Sequence, residues 1–153
     1  GMSLRDRLQQ ALKEAMKAKA ADRLSTLRLI NAAIKDRDIA SRGEGGPEMV
    51  SDAEITAIMG KMVKQRQESA RAYEEGGRLE LAEKELAEIG VIQEYLPRQM
   101  DAAEVVAAVE AAVAETGAAS IRDVGKVMGV LKAKYAGQMD FGAVGALVKA
   151  RFG

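Results

Sequence analysis

Cysteine, histidine and tryptophan are absent from the chain, and only two prolines, Pro47 and Pro97, occur in its 153 residues. Without thiolate or imidazole there is no disulfide, no zinc-finger ligand set, no Cys–His nucleophile and no histidine acid–base pair. No metal or cofactor is therefore expected. Aromatic residues are only 3% of the chain, which argues against reading single-stranded bases by stacking. No apolar run reaches the roughly 18 residues that a membrane span needs, so no membrane partner is expected. No stretch alternates β-branched and polar residues long enough to suggest a sheet. Lack of cysteine and of a secretory leader pattern leads to the expectation of a cytoplasmic protein.

What remains is aliphatic and helical. Hydrophobic residues are 48% of the chain, with Ala, Leu, Glu, Lys and Arg dominant, all good helix formers. The expected fold is all-α, in two parts: an N-terminal helical domain of about four helices in two hairpins over 1–97, then a three-helix domain over 98–153. Pro97 marks the boundary, because it cannot continue a helix and biases Leu96 away from helical angles.

Ser3 and Asp6 open a first helix carrying Leu4, Leu8, Ala11, Leu12, Ala15 and Met16 at helical spacing. Asp22 is expected to cap a second, ending near Ala40. Leu27, Ile30 and Ile34 form its apolar face, and Arg28, Asn31 and Lys35 line up beside Leu24. That row either grips an acidic partner or is a solvated edge. Ser41–Glu48 reads as a loop by composition.

Ser51 followed by Glu54 has the spacing of a capping box, opening a long helix that ends at Gly76-Gly77. On its wheel Ile55, Ile58, Met59, Met62, Ser69, Ala70 and Tyr73 share one stripe, and Arg66 falls in its centre. An arginine aimed at a core needs a carboxylate or carbonyls, because an unpaired buried charge is costly. The next helix, Arg78 to Tyr95, places Glu85 inside its own apolar arc, among Leu81, Ala82, Leu86, Ile89, Ile92 and Leu96. Arg66 and Glu85 lie at similar depth from the glycine turn. They are expected to form a buried ion pair, the alternative for Arg66 being a ligand anion.

Beyond Pro97, Asp101 with Glu104, then Ser120 with Asp123, then Asp140 start three short helices. The formal net charge is zero, yet charge is unevenly spread. From Asp101 to Ala119 every charged residue is acidic. From Ser120 onward the bases are Arg122, Lys126, Lys132, Lys134, Lys149 and Arg151, against Asp123 and Asp140. Gly125, Gly129, Gly142 and Gly145 sit inside helical patterns at about 1 kcal/mol each relative to alanine. Gly125 and Gly145 read as sites of close helix approach. Gly129, beside Arg122 and Lys126 and off the apolar face, reads as a smooth patch that admits a sugar–phosphate backbone, or as another packing contact.

Gly125-Lys126-Val127-Met128-Gly129 with Lys132 and Lys149, together with Leu27–Lys35, Lys64-Gln65-Arg66 and Tyr95-Leu96-Pro97, resemble the GatB/YqeY family. The order of these segments covers essentially the whole chain. GatB is the tRNA-handling subunit of glutamine-dependent aminoacyl-tRNA amidotransferases. YqeY-like proteins are free-standing chains that share its tail domain. The resemblance implies a helical N-terminal domain, a three-helix tail, and a non-catalytic tRNA-binding or tRNA-associated role. Arg122, Lys126, Gly129 and Lys132 are the expected RNA contacts. The expected partners are tRNA or another structured RNA, and a protein of the aminoacyl-tRNA pathway. Alternatives are a protein–protein adaptor using Arg28, Asn31 and Lys35, or an accessory to glutamine-dependent carbon–nitrogen ligase activity. The cradle domain that carries GatB's own chemistry has no counterpart in this sequence, so activity in isolation is not expected.

Overall fold

The computed structural model describes residues Gly1–Gly153 as seven α-helices and one 3-10 turn, with no strand. The helices fall into two compact units, Gly1–Leu96 and Pro97–Gly153. The all-α expectation holds.

In the first unit, α1 (Leu4–Lys17) starts at Ser3, whose hydroxyl accepts the Asp6 N–H at 3.1 Å. The turn to α2 uses Lys19 at φ +53. Helix α2 (Ala21–Gly43) differs from expectation at both ends. Asp22 is not its cap: the cap position is Ala20, and Asp22 sits in the first turn, where a carboxylate still suits the helix dipole. The helix also continues past Ala40 into the glycine-rich stretch. Ser41 is buried, its hydroxyl donates to the Pro47 carbonyl at 2.8 Å, and its carbonyl accepts the Gly46 N–H at 2.8 Å. A Cβ at Gly46 would lie 2.8 Å from the Ser41 hydroxyl, so glycine is what lets this loop fold back onto the helix end.

Helix α3 (Asp52–Glu75) starts where expected, with the Ser51 hydroxyl accepting the Glu54 N–H at 3.3 Å. Gly76 and Gly77 turn the chain, Gly77 at φ +73. Helix α4 (Leu79–Gln93) packs back along α3 as an antiparallel hairpin. Its apolar arc is narrower than expected. Ala82, Ile89 and Ile92 are buried while Leu81 and Leu86 are exposed, and on α3 Ser69 is exposed too. Leu8, Ala15, Leu27, Ile30, Ile34, Ile55, Met59, Met62 and Ile92 make the shared aliphatic core. The segment after α4 is tied down by Arg23, which donates to both Glu94 oxygens at 2.6 and 3.0 Å and to the Tyr95 hydroxyl at 2.7 Å. The Arg7 guanidinium lies 5.6 Å above the Tyr95 ring.

The second unit starts with α5 (Ala102–Thr116) behind a full capping box. Asp101 accepts the Glu104 N–H at 2.8 Å, and Glu104 accepts the Asp101 N–H at 3.2 Å. Gly117 at φ +66 ends the helix. The 3-10 turn Ile121–Asp123 leads directly into α6 (Val124–Lys134). Asp123 accepts the N–H groups of Ala119 and Ser120, which hold its carboxyl below the usual range. Asp140 accepts from Gly142 and Ala143 at the start of α7 (Phe141–Phe152). Ala108, Val109, Ala112, Val113, Val127, Leu131, Met139, Val144 and Val148 fill the core between the three helices.

Candidate functional site

Arg66 does enter a half-buried ion pair, but its partner is Glu88, not Glu85. Its Nε donates to Glu88 Oε2 at 2.8 Å, and the side chains are 15% and 16% exposed. Its Nη1 donates to the Met62 carbonyl at 3.2 Å, one turn back on α3. That second bond explains the shift. Long side chains on a helix lean toward its N-terminus. On an antiparallel neighbour, that lean moves the contact toward the neighbour's C-terminus, from Glu85 one turn on to Glu88. A wheel locates a face but not this axial offset. With a carboxylate and a carbonyl both engaged, Arg66 is a tie between α3 and α4.

A second buried charge, absent from the sequence expectations, is Asp38 on α2. Asp38, 7% exposed, accepts Arg5 Nη1 at 3.0 Å and Nη2 at 3.0 Å, and its Oδ1 accepts the Val50 N–H at 2.8 Å. Arg5 Nη2 also reaches the Val50 carbonyl at 3.3 Å. The Arg5 guanidinium, then the Val50 N–H, hold the Asp38 carboxyl below its ordinary range. Nearby, Asp52 accepts the Leu4 N–H at 3.1 Å. These bonds fasten α1, α2 and the segment before α3 together. The signal was present in the sequence: Asp38 follows Leu27, Ile30 and Ile34 on the same stripe of α2, where an apolar residue belongs.

On α2, Arg28 and Lys35 are exposed and Asn31 is half-buried. Asn31 Oδ1 accepts the Gln9 side-chain N–H at 3.1 Å, joining this row to α1. Arg28 and Lys35 take part in no ion pair of the structure.

In the second unit the cations divide into two sets, apart from Lys149 on α7, which is exposed and in no ion pair. Arg98 is held by Glu104 at 2.6 Å, Lys134 by Glu115 at 2.6 Å and Arg151 by Glu110 at 2.7 Å. Arg98 pulls Glu104 down to about 2, Arg151 lowers Glu110, and Glu115 raises Lys134. Arg122, Lys126 and Lys132 are exposed and outside these pairs, with Asp123 near the first two. At about 100° per residue, Gly125, Gly129 and Ala133 run down the solvent side of α6, opposite buried Val127 and Leu131, with Lys126 and Lys132 on either flank. A Cβ at Gly125 or Gly129 would meet nothing within 4 Å. This corrects the expectation for Gly125, whose space is open because it faces solvent instead of a helix. Gly145 meets only the end of the Met128 side chain at 3.9 Å, an ordinary contact. Of the four residues expected to contact RNA, Lys126, Gly129 and Lys132 thus lie along one open face of α6, and Arg122 sits in the 3-10 turn just before it. No group of three or more carboxylates is placed to hold a metal ion, and no helix is long and apolar enough to cross a membrane.

The sequence profile of the Yqey-like protein family matches residues 5–152. The chain belongs to this family. Among curated proteins, this Yqey-like chain is 39% identical over 85 residues to "Altered inheritance of mitochondria protein 41, mitochondrial" of Clavispora lusitaniae, covering 56% of this chain and 46% of that protein. It is 36% identical over 89 residues to the protein of the same name in Eremothecium gossypii, covering 58% and 46%. An uncharacterized protein of Schizosaccharomyces pombe is 26% identical over 90 residues, covering 59% of this chain and 69% of its own length. The chain thus spans about half the length of the first curated relatives it matches. Their names overturn the cytoplasmic expectation, since these relatives are named as mitochondrial. The inference failed because lack of cysteine excludes disulfides without distinguishing one reducing compartment from another.

Proposed function

We propose that this Yqey-like protein is a non-catalytic RNA-associated module whose C-terminal unit takes the phosphate backbone of a structured RNA. The resemblance of that unit to the GatB tail makes tRNA the first candidate. The observation that carries the reading is the division of cations: Arg98, Lys134 and Arg151 are matched by acids, whereas Lys126 and Lys132 flank the open glycine face of α6 and Arg122 is exposed in the turn just before it. Phosphate contact needs unmatched cations and close approach, and this face offers both. Few aromatics and a helix face without bulky side chains suit a folded RNA gripped by its backbone better than an unstacked strand.

The test is tRNA retention on filters across a salt series. Affinity should fall steeply with salt as counterions are released. Lys126→Ala should weaken binding and lower the salt slope by about one unit. Gly129→Glu should weaken it more, by bulk and by repelling phosphate. Lys84→Ala, on α4, is the control and should change little. No binding by the wild type at low salt, or full binding by both α6 variants, refutes the reading.

A further inference from the structure

We infer that the exposed face of the α1–α2 hairpin docks an acidic amphipathic helix of a partner protein. Three observations converge on this face. The first is a fixed register. The Gln9–Asn31 hydrogen bond at 3.1 Å sets α1 against α2. One turn further along α1 and one turn back on α2, that register brings exposed Lys13 beside Arg28.

The second is unmatched positive charge. Lys13, Arg28 and Lys35 are exposed and take part in no ion pair; of the other bases on α1 and α2, Arg5 is engaged by Asp38, Arg23 by Glu94 and Arg37 by Glu54, Arg42 reaches the Asp38 carbonyl, Arg7 lies over Tyr95, and Lys17 is exposed and unpaired like the strip. The acids that border the strip are Asp6 and, further round α1, Glu14, which accepts from Gln10, and, further round α2, Asp36. Arg28 and Lys35 are two turns apart, about 10 Å along the axis. Carboxylates seven residues apart on a helix laid alongside would match that spacing.

The third observation selects protein over RNA. Apolar side chains lie at both ends of the cationic strip: Met16, 53% exposed, beside half-buried Leu24, and Ile39, 62% exposed, one turn beyond Lys35. A phosphate backbone has nothing to offer them. The apolar residues of an amphipathic helix would cover them while its acids meet the strip. The face lies in the first unit and is independent of the RNA reading of α6.

The experiment uses the full chain with a photo-reactive residue at position 39, and at position 61 on α3 as control. Crosslinked material from a lysate is analysed for protein and RNA. The expected result is crosslinking at position 39, absent at 61, to a protein segment of helical pattern with carboxylates seven residues apart. Arg28→Glu with Lys35→Glu should cut this capture about tenfold or more. Lysines in place of the partner's acids should restore it. Both side chains are exposed, so helicity by circular dichroism should not change. Should the reversed pair perturb folding, Arg28→Gln with Lys35→Gln provides the same reading with a smaller loss. Lys126→Ala should leave the crosslink intact. Crosslinks to RNA alone, none above the position 61 control, or a captured segment indifferent to charge reversal would each overturn the proposal.

Discussion

Replacing Asp38 by alanine should cost the protein about 3 kcal/mol, more than truncating any exposed acid. The side chain is 10% exposed and accepts three hydrogen bonds, two from Arg5 and one from Val50. Its removal strands the buried Val50 N–H, at about 1–3 kcal/mol. It also leaves the Arg5 guanidinium without its carboxylate, and breaking a buried pair costs about 3–5 kcal/mol. The Arg5 side chain is 21% exposed, so water recovers part of that loss and the lower end applies. With a urea slope of about 1.5 kcal/mol/M, the midpoint should fall by about 2 M. Asp38→Asn keeps an acceptor for Val50 and should lose less. The pH dependence has a definite sign. Asp38 is held below its ordinary value, mainly by Arg5. Its stabilisation is therefore fully present above the unfolded value of about 3.9 and fades as pH falls through the lowered folded value. The gap between wild type and Asp38→Asn should accordingly close in acid. A midpoint within about 0.3 M of wild type for Asp38→Ala, or a gap unchanged down to pH 2, would refute this account.

Glu88→Gln should destabilise the α3–α4 hairpin by about 2 kcal/mol in urea unfolding, since Arg66 keeps its charge and loses its anion, whereas Glu85→Gln should be close to neutral. Gly117→Ala should cost about 1–2 kcal/mol because the residue sits at φ +66, while Gly125→Ala should add up to about 1 kcal/mol because the added methyl meets open space in a helix; thermal melts separate the two. The Glu104 carboxyl should titrate near 2 in NMR and rise toward the ordinary glutamate range in Arg98→Ala, because Arg98 is the main cause of its lowering.

The sequence was most legible where structure is local. Ser3, Ser51, Asp101 and Asp140 cap their helices because an oxygen two or three residues before a free N–H needs nothing else to find it. Apolar spacing gave the core of α2 and α6 for the same reason. Legibility failed where the outcome depends on a second element. The end of α2 was misplaced because Gly46 and Pro47 return to satisfy Ser41, a contact invisible to helix propensity. The wheel points to Glu85 where the structure has Glu88, because angular position carries no information about axial lean. Asp38 was missed because its partners, Arg5 and Val50, come from a different helix and from a loop. In the candidate RNA face, the exposure of Lys126 and Lys132 follows from the α6 period, but the matching of Arg98, Lys134 and Arg151 by acids of α5 needs the tertiary arrangement.

The glycines of α6 bear on function through what they do not do for packing. A helical glycine costs about 1 kcal/mol against alanine, and such a cost is commonly offset by close contact with a neighbour. Gly125 and Gly129 have no neighbour within 4 Å of a would-be Cβ, so the fold of this unit gives them no return. A helix carrying two uncompensated glycines on its solvent side, flanked by unmatched lysines, is weaker than it needs to be to stand alone. That pattern is expected where a surface is shaped for something that approaches the backbone. The consequence can be tested on one variant. Gly129→Ala should melt higher than wild type and bind tRNA less well, the two effects moving in opposite directions. If it melts higher and binds equally, the glycine serves no approach. If it melts lower, the face is already occupied within the folded chain, and the reasoning for α6 fails.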